Sequence, residues 1–447
     1  MSSLNRTAAR SPSLAAPYGV ARNHNGLAVK VGSPEQTLTR LTLANMLWEN
    51  QFYMDGKSTA DLLKATVAKT DPTFVADLAL RARSQFKLRH VPLLLARELA
   101  RSGKLKADTL ADVIQRPDEL GEFVSMYWEG KKSPISNQVK KGLAKAFSKF
   151  NEYQLAKWDK NSAAVSLRDV MFLTHPKPAD EAQKALFAKV ANKTLETPDT
   201  WEVELSGGAN KKETFTRLMA ERKLGALAFI RNLRNMTEAG VSTRDIESYA
   251  QNISVERVLP FRFIAAARMV PQFSGMLEAM MFRCLEKHDK LAGKTVLLVD
   301  VSGSMFQAKI SEKSDLLRFD AAAALAVLCR EICEEVEVFS FSNTLVRIPQ
   351  GMRGMKLVEA LRDSQANAGT RTGEAVAKVN SSTNYDRCII FTDEQSSSMI
   401  EAPRGNAKGY VMNVAAYQFG LNHDAWTSIS GFSEALIDYV QAVEKSL

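Results

Sequence analysis

The chain has 447 residues, 45% of them hydrophobic and 24% charged, with a formal net charge of +9. That length exceeds one ordinary core and that composition excludes wholesale disorder, so two or three globular domains are expected. No run approaches the roughly 18 apolar residues of a membrane-spanning helix, and the N-terminus lacks the basic-then-apolar layout of a secretory leader, so we expect a soluble, cytoplasmic protein with no membrane partner.

Residues 1–34, rich in Ser, Pro, Ala and Asn without periodicity, read as an N-terminal arm. Helical spacing begins near Glu35 with the stripe Leu38, Leu41, Leu43, Met46 and Leu47. It continues at about 72–86, 89–102, 136–149, 212–222, 225–238 and 275–290. Many helices with short breaks predict stacked antiparallel pairs, a solenoid over residues 35–293. From Ser136 one helix is expected to turn Val139, Leu143, Phe147 and Phe150 inward, with Lys141, Lys145 and Lys149 recurring every four residues on another face. Like charges at that spacing repel by a few tenths of a kcal/mol per pair unless counter-charge such as phosphate is supplied. The plain alternative is a solvated helix face. Lys157, Lys160, His175 and Lys177 add basic groups, and Pro176 ends the helix so that His175 sits at its C-terminus. A second basic ridge runs from Arg81 and Arg83 through Arg89 to Lys106.

At Gly293 the pattern changes. Val296 to Asp300, Val336 to Phe341, Cys388 to Thr392 and Val411 to Ala415 read as buried strands, alternating with helices at Phe319 to Glu335, Leu357 to Leu361 and Glu374 to Val379. This alternation predicts a mostly parallel, doubly wound α/β domain over residues 294–447, whose ligands bind at the carboxyl ends of strands. Asp300, Ser302 and Ser304 stand there at two-residue intervals around Gly303, offering a hard cation its preferred oxygen donors. The charge divides with the fold: residues 294–447 hold 15 Lys+Arg against 19 Asp+Glu, a net of −4, and residues 1–293 hold 44 against 31, a net of +13. A basic module joined to a mildly acidic one suits nucleic-acid binding fused to metal binding. Cys284, Cys329, Cys333 and Cys388 form no ligand or redox spacing, which fits core thiols in a reducing compartment.

The Asp-Val-Ser-Gly-Ser loop after an apolar strand resembles the metal-ion-dependent adhesion site of von Willebrand factor A (vWA) domains, a Rossmann-like fold. That resemblance implies Mg²⁺, or Mn²⁺, held by Asp300, Ser302 and Ser304, with Thr370 and Asp393 completing the site; Thr372 is an alternative to Thr370. A second resemblance lies in Arg89-His-Val-Pro-Leu-Leu-Leu, Lys132-Ser-Pro-Ile-Ser, Gln138-Val-Lys-Lys-Gly-Leu-Ala, Lys157-Trp-Asp-Lys, Leu167-Arg-Asp-Val-Met-Phe-Leu-Thr-His-Pro-Lys-Pro, Trp201-Glu-Val-Glu-Leu-Ser and Ile429-Ser-Gly-Phe-Ser. These resemble the TROVE module of the Ro ribonucleoprotein autoantigen family. The family resemblance implies a ring of HEAT-like helical repeats closed by a vWA domain, acting as a monomer and not as an enzyme. It further implies Y-like noncoding RNA on the basic outer surface, single-stranded ends of misfolded or partly degraded RNA in a central cavity, and a role in RNA quality control. An exoribonuclease such as polynucleotide phosphorylase, tethered through RNA, is the implied protein partner. The family's Y RNA contacts fall on Lys157, Lys160 and His175, the lysines to within a residue or two. Asp393 is followed by Glu-Gln-Ser in place of the family's Asn-containing continuation, which puts inherited partner contacts in question.

Two other readings compete: a metal-dependent protein-binding vWA module with a helical spacer, and a metal-dependent nuclease or phosphatase. The last is the weakest, because no general base or second carboxylate cluster accompanies Asp300 and Asp393, and Glu394, on a strand end, is expected to point away from Asp393.

Overall fold

The computed structural model describes residues 20–22, 28–30, 33–44, 56–85, 88–129, 131–159, 163–256, 258, 261–286, 290–310, 316–394, 396, 398–415, 425–430 and 440. Most of the expected N-terminal arm lies outside them; within it β1 (Val20–Arg22) and β2 (Ala28–Lys30) pair antiparallel. Helices follow in order: α1 (Pro34–Ala44), α2 (Gly56–Val67), α3 (Pro72–Ser84), α4 (His90–Arg101), α5 (Ala107–Val113), α6 (Asp118–Trp128), α7 (Asn137–Phe147), α8 (Glu152–Trp158), α9 (Leu167–Thr174), α10 (Glu181–Asn192), α11 (Trp201–Ser206), α12 (Lys211–Ala220), α13 (Ala226–Glu238), α14 (Thr243–Asn252), α15 (Phe261–Met269) and α16 (Ser274–Leu285). The C-terminal part alternates: β3 (Leu291–Asp300), α17 (Gly303–Gln307), α18 (Arg318–Ile332), β4 (Cys333–Phe341), β5 (Leu345–Arg347), α19 (Gly354–Arg362), α20 (Thr372–Ser382), β6 (Arg387–Thr392), β7 (Lys408–Asn413) and β8 (Trp426–Ser430). The chain forms two compact units, residues 61–208 and residues 1–60 with 209–447. Helices therefore give way to strands at Leu291, whereas the compact units divide at 208/209.

Within residues 61–208 helices α3 to α7, α9 and α10 pack on near neighbours in sequence, as stacked helical repeats do. Asp71 caps α3 by accepting from the amides of Thr73 and Phe74 at 2.8 and 3.1 Å, with Pro72 pre-set at the first helical position. Helix α7 clamps α5 at both ends. Gln138 Oε1 accepts from the Ala107 amide at 3.0 Å, and Lys149 Nζ donates to the carbonyls of Ile114, at 2.7 Å, and of Ala111. Gly142 makes this approach possible, since a Cβ there would stand 2.8 Å from the Ala107 carbonyl. Beneath them Arg83 and Glu119 form a buried pair, the guanidinium meeting both carboxylate oxygens at 2.7 and 2.9 Å and donating to the Val113 and Leu88 carbonyls at 3.0 Å each. Glu119 also accepts from the amides of Gln115 and Arg116, so both partners are saturated.

The second unit carries a six-stranded sheet in the order β5-β4-β3-β6-β7-β8, parallel except at the β4–β5 edge. Val296 and Leu298 share one face with Ile390 and Val411, packed with Val376 and Val379 of α20. By the two-residue alternation Leu297 and Val299 point to the other face, and α18 packs against β3, β4 and β6. The doubly wound sheet matches expectation, with differences. Helix α18 stops at Ile332 and β4 starts at Cys333, earlier than the apolar Val336, Val338 and Phe339 suggest; β5 and β8 are edge strands too short or too polar to read from pattern. Helix α1 packs against β8, so one sheet edge is covered. Two carboxylates hold helices to the sheet domain: Asp320 of α18 meets Arg268 of α15 and, at 3.3 Å, Arg362 of α19, and Glu278 of α16 accepts from the Met355 amide at 2.7 Å. Gly354, at φ +53, is required there, since a Cβ would lie 1.8 Å from the Glu278 carboxylate.

Glu119→Ala should destabilise the protein by about 3–5 kcal/mol in urea titration, because it strands the Arg83 charge in the core. A second expectation concerns acid. Arg101 at 2.7 Å and Lys64 at 3.0 Å hold the Glu129 carboxyl at about 2, below its ordinary 4.5. A depressed carboxyl contributes stability that is present above the unfolded value and lost as pH falls toward the folded one. Glu129→Gln should therefore flatten the fall in melting temperature between about pH 4.5 and 2.

Candidate metal centre and basic surface

The carboxyl ends of β3, β4 and β6 build one site. Asp300, the last residue of β3, is fully buried; its Oδ1 accepts from the Ser302 amide at 2.8 Å and its Oδ2 from the Thr392 hydroxyl, at the end of the adjacent β6, at 2.6 Å. Ser302 and Ser304 hydroxyls lie 3.3 Å apart around the turn into α17. The Gly303 amide donates to the Ala368 carbonyl at 3.0 Å, and Ser342, just past β4, accepts from the Ala368 amide and donates to the Gly369 carbonyl, both at 3.0 Å. The loop bearing Thr370 is thus fastened to the Asp-x-Ser-x-Ser loop. Thr370 is nearly buried and Thr372 wholly so, and the Thr372 hydroxyl has no hydrogen-bond partner.

Asp393, the residue after β6, is also fully buried, and Arg318 donates to its Oδ2 at 3.0 Å. Arg318 opens α18 and is itself buried, its Nε without a partner. Burial first, then the charge of Asp393, pushes the Asp300 carboxyl up to about 7, with the Ser302 and Thr392 bonds opposing. Pattern reading missed Arg318; the available signal was a charged residue heading the run Phe-Asp-Ala-Ala-Ala-Ala, where an unpaired cation could not be buried. Glu394 sits at φ +56, past the strand, with its amide donating to the Thr392 hydroxyl at 3.1 Å, so strand alternation does not govern its direction, and it is buried.

The basic residues fall into different environments. Val139, Leu143, Phe147 and Phe150 are buried as expected, and the lysines of α7 do not act as one stripe. Lys141 is exposed and Lys145 reaches Asp108, whereas the Lys149 ammonium is turned onto the α5 carbonyls and burial pulls its pKa down. Arg89 is engaged by Asp118 at 2.6 Å and by Glu122. Lys149 and Arg89 thus each meet groups of neighbouring helices in this structure. Lys157 is half-buried on α8 with its ammonium 6.0 Å from the Tyr153 ring. His175 is exposed in the left-handed conformation at the α9 C-terminus, φ 47, and Lys177 is exposed. Lys160 lies outside the described residues. Arg168, one residue into α9, was not singled out; its guanidinium stands 5.5 Å from the half-exposed Phe172 ring.

Fold and site together define a helical-repeat protein carrying a vWA-like α/β domain with oxygen donors at its sheet edge. A model of the TROVE domain matches residues 191–314. Over 91 residues the chain is 34% identical to telomerase protein component 1 of Mus musculus and 32% identical to that of Rattus norvegicus; the match spans 19% of this chain and 4% of those proteins. The crystal structure of the Deinococcus radiodurans Ro (RSR) protein is similar in fold, with a TM-score of 0.63 at 17% identity, covering 92% of this chain and 99% of that one. The chain resembles the Ro family in its TROVE match and in its fold. Among the described residues no helix is long and apolar enough to cross a membrane.

Arg318→Met leaves Asp393 buried without its cation, next to the equally buried Asp300. In metal-free buffer it should cost roughly 3–5 kcal/mol of unfolding free energy by urea titration, against less than about 1 kcal/mol for the exposed Arg371→Met.

Proposed function

We propose that this protein is an RNA-binding scaffold of a small ribonucleoprotein that holds a structured, Y-like noncoding RNA on the basic surface of α7 to α9 and receives single-stranded ends of damaged RNA at a separate place. The reading rests chiefly on charge: between residues 131 and 177 ten Lys+Arg stand against three Asp+Glu. Part of that excess is spent internally, as Lys145 and Lys149 show, and the remainder at Lys141, Lys157, Arg168, His175 and Lys177 has phosphate as its natural counter-charge. Phosphate contacts made by flexible lysines position an RNA, while a histidine at a helix end can donate to a phosphate or a base edge. An RNA-tethered exoribonuclease fits such a scaffold as partner, cleavage being left to it, and the cytoplasm is the proposed compartment.

The sheet edge is read as a divalent-cation site, Mg²⁺ or Mn²⁺, held by Asp300, Ser302, Ser304 and Asp393 with Thr370 or Thr372. The donor set fits. Of two buried carboxylates only Asp393 has an arginine, the other is driven toward neutrality, and a buried hydroxyl at the head of α20 lacks a partner. A bound ion would supply the missing positive charge and cross-link three loops. The chain's own residues orient these oxygens through the Ser302 amide, the Thr392 hydroxyl and Arg318.

In filter-binding assays, Lys157→Ala and His175→Ala should each weaken a Y-like hairpin RNA several-fold, with Ser302→Ala within twofold of wild type. Log affinity should fall with log salt at a slope of about −0.9 for each phosphate neutralised; a flat salt response, or the reverse order of variants, would overturn the RNA reading. Titration calorimetry with MgCl₂ tests the ion separately. Uptake lost in Asp300→Asn supports the site, and no uptake by the wild type removes it.

A further inference from the structure

The first turn of α18 sends three consecutive side chains to three different places. Arg318 reaches the sheet edge, where its Nη1 donates to Asp393 Oδ2 at 3.0 Å with only 5% of the side chain exposed. Phe319 stacks on Phe306 of α17, with ring centroids 4.5 Å apart and planes 18° from parallel. Asp320 meets Arg268 of α15 and Arg362 of α19, and it accepts from the Leu317 amide at 2.8 Å. The Arg318 amide donates to the Ala308 carbonyl at 3.0 Å, so the backbone carrying the guanidinium is tied to the end of α17, the helix that begins in the Asp-x-Ser-x-Ser loop. The cation beside Asp393 is therefore built in at a fixed place.

That placement sets it against an ion. Asp300 and Asp393, both fully buried, carry two charges when ionised and Arg318 already meets one, so a divalent ion brings one positive charge more than is missing. A guanidinium cannot shed its proton to escape the excess. Away from solvent, salt screens little of the repulsion between guanidinium and ion. The arginine is also incompletely held where it stands, since its Nε is buried without a partner.

We propose that Arg318 is a tethered competitor for the divalent cation: it neutralises Asp393 from within the chain, leaves that carboxylate when an ion enters, and so sets the affinity of the site. The proposal rests on the divalent-cation reading above and adds to it the group that the ion has to displace. If the hold of Arg318 on Asp393 persisted in the ion complex, removing the arginine would lower affinity. Competition predicts a gain.

The test uses the full chain and MgCl₂, read by titration calorimetry, with urea unfolding in the presence and absence of the ion. Arg318→Met should bind Mg²⁺ about tenfold more tightly than wild type, and Arg318→Lys, which keeps the charge, should stay within about threefold. Arg371→Met, which removes an exposed charge near the same sheet edge, should stay within about twofold. Because an ion that binds only the folded state stabilises it, saturating Mg²⁺ should narrow the gap in urea midpoint between Arg318→Met and wild type, and should refold the variant if metal-free buffer leaves it unfolded. A gain under about threefold in Arg318→Met, or a loss, overturns the proposal and leaves the cation reading standing. So does a variant that stays unfolded at Mg²⁺ levels that saturate the wild type. Uptake by Arg318→Met alone supports the proposal in its strongest form, an arginine that excludes the ion outright. No uptake by either protein removes the cation reading and this inference with it.

Discussion

Two carboxylates buried at the carboxyl edge of a parallel sheet are the constraint around which the α/β part of this protein is arranged. Ionised carboxylates do not remain in an interior without compensation, and here each has it: Asp300 from an amide and a hydroxyl, Asp393 from the Arg318 guanidinium. The compensation is supplied by three loops and the first turn of α18, so the carboxylates also fix the positions of those elements. Charge thereby becomes a source of order at the end of the sheet where a doubly wound fold otherwise has only loops.

The helical unit of residues 61–208 uses polar groups differently. Its buried Arg83–Glu119 pair is saturated by backbone partners, and its α5 is held at one end by an amide oxygen and at the other by an ammonium. A basic helix face is therefore two populations of side chains: some complete the ends of neighbouring helices and some remain for a ligand. Net charge counts both alike, which is why composition alone overstates the surface available to a polyanion.

Much of the architecture was legible from pattern. The apolar run Val296 to Val299 ending at Asp300, and Cys388 to Phe391 ending near Asp393, placed two strands side by side with their acidic ends together, and the structure pairs them in parallel with Val299 opposite Phe391. The three-loop character of the site followed from order in the chain. What pattern could not show was what depends on tertiary partners. Arg318 looks like an ordinary helix-start residue until Asp393 is beside it, and Lys149 repeats with Lys141 and Lys145 at perfect helical spacing until the α5 carbonyls capture it. The helix-to-strand switch at Ile332–Cys333 was misplaced by three residues because the glutamates around Val336 disguise a partly exposed strand end. Nor does periodicity reveal that α12 to α16 pack in one body with the sheet, since that depends on single cross-links.

Those cross-links bear on how the chain can be divided. Asp320 is almost fully buried with Arg268 as one of its two arginine partners, and the amide end of α19 rests on Glu278. A fragment cut at the visible change of pattern, near residue 291, would keep the sheet but discard both Arg268 and Glu278, uncovering an acidic hole on α18 and an uncapped helix beside it. The compact unit that keeps these groups together joins residues 1–60 to 209–447, so dissection that respects it removes residues 61–208 as an insert and does not cut the chain once where secondary structure changes.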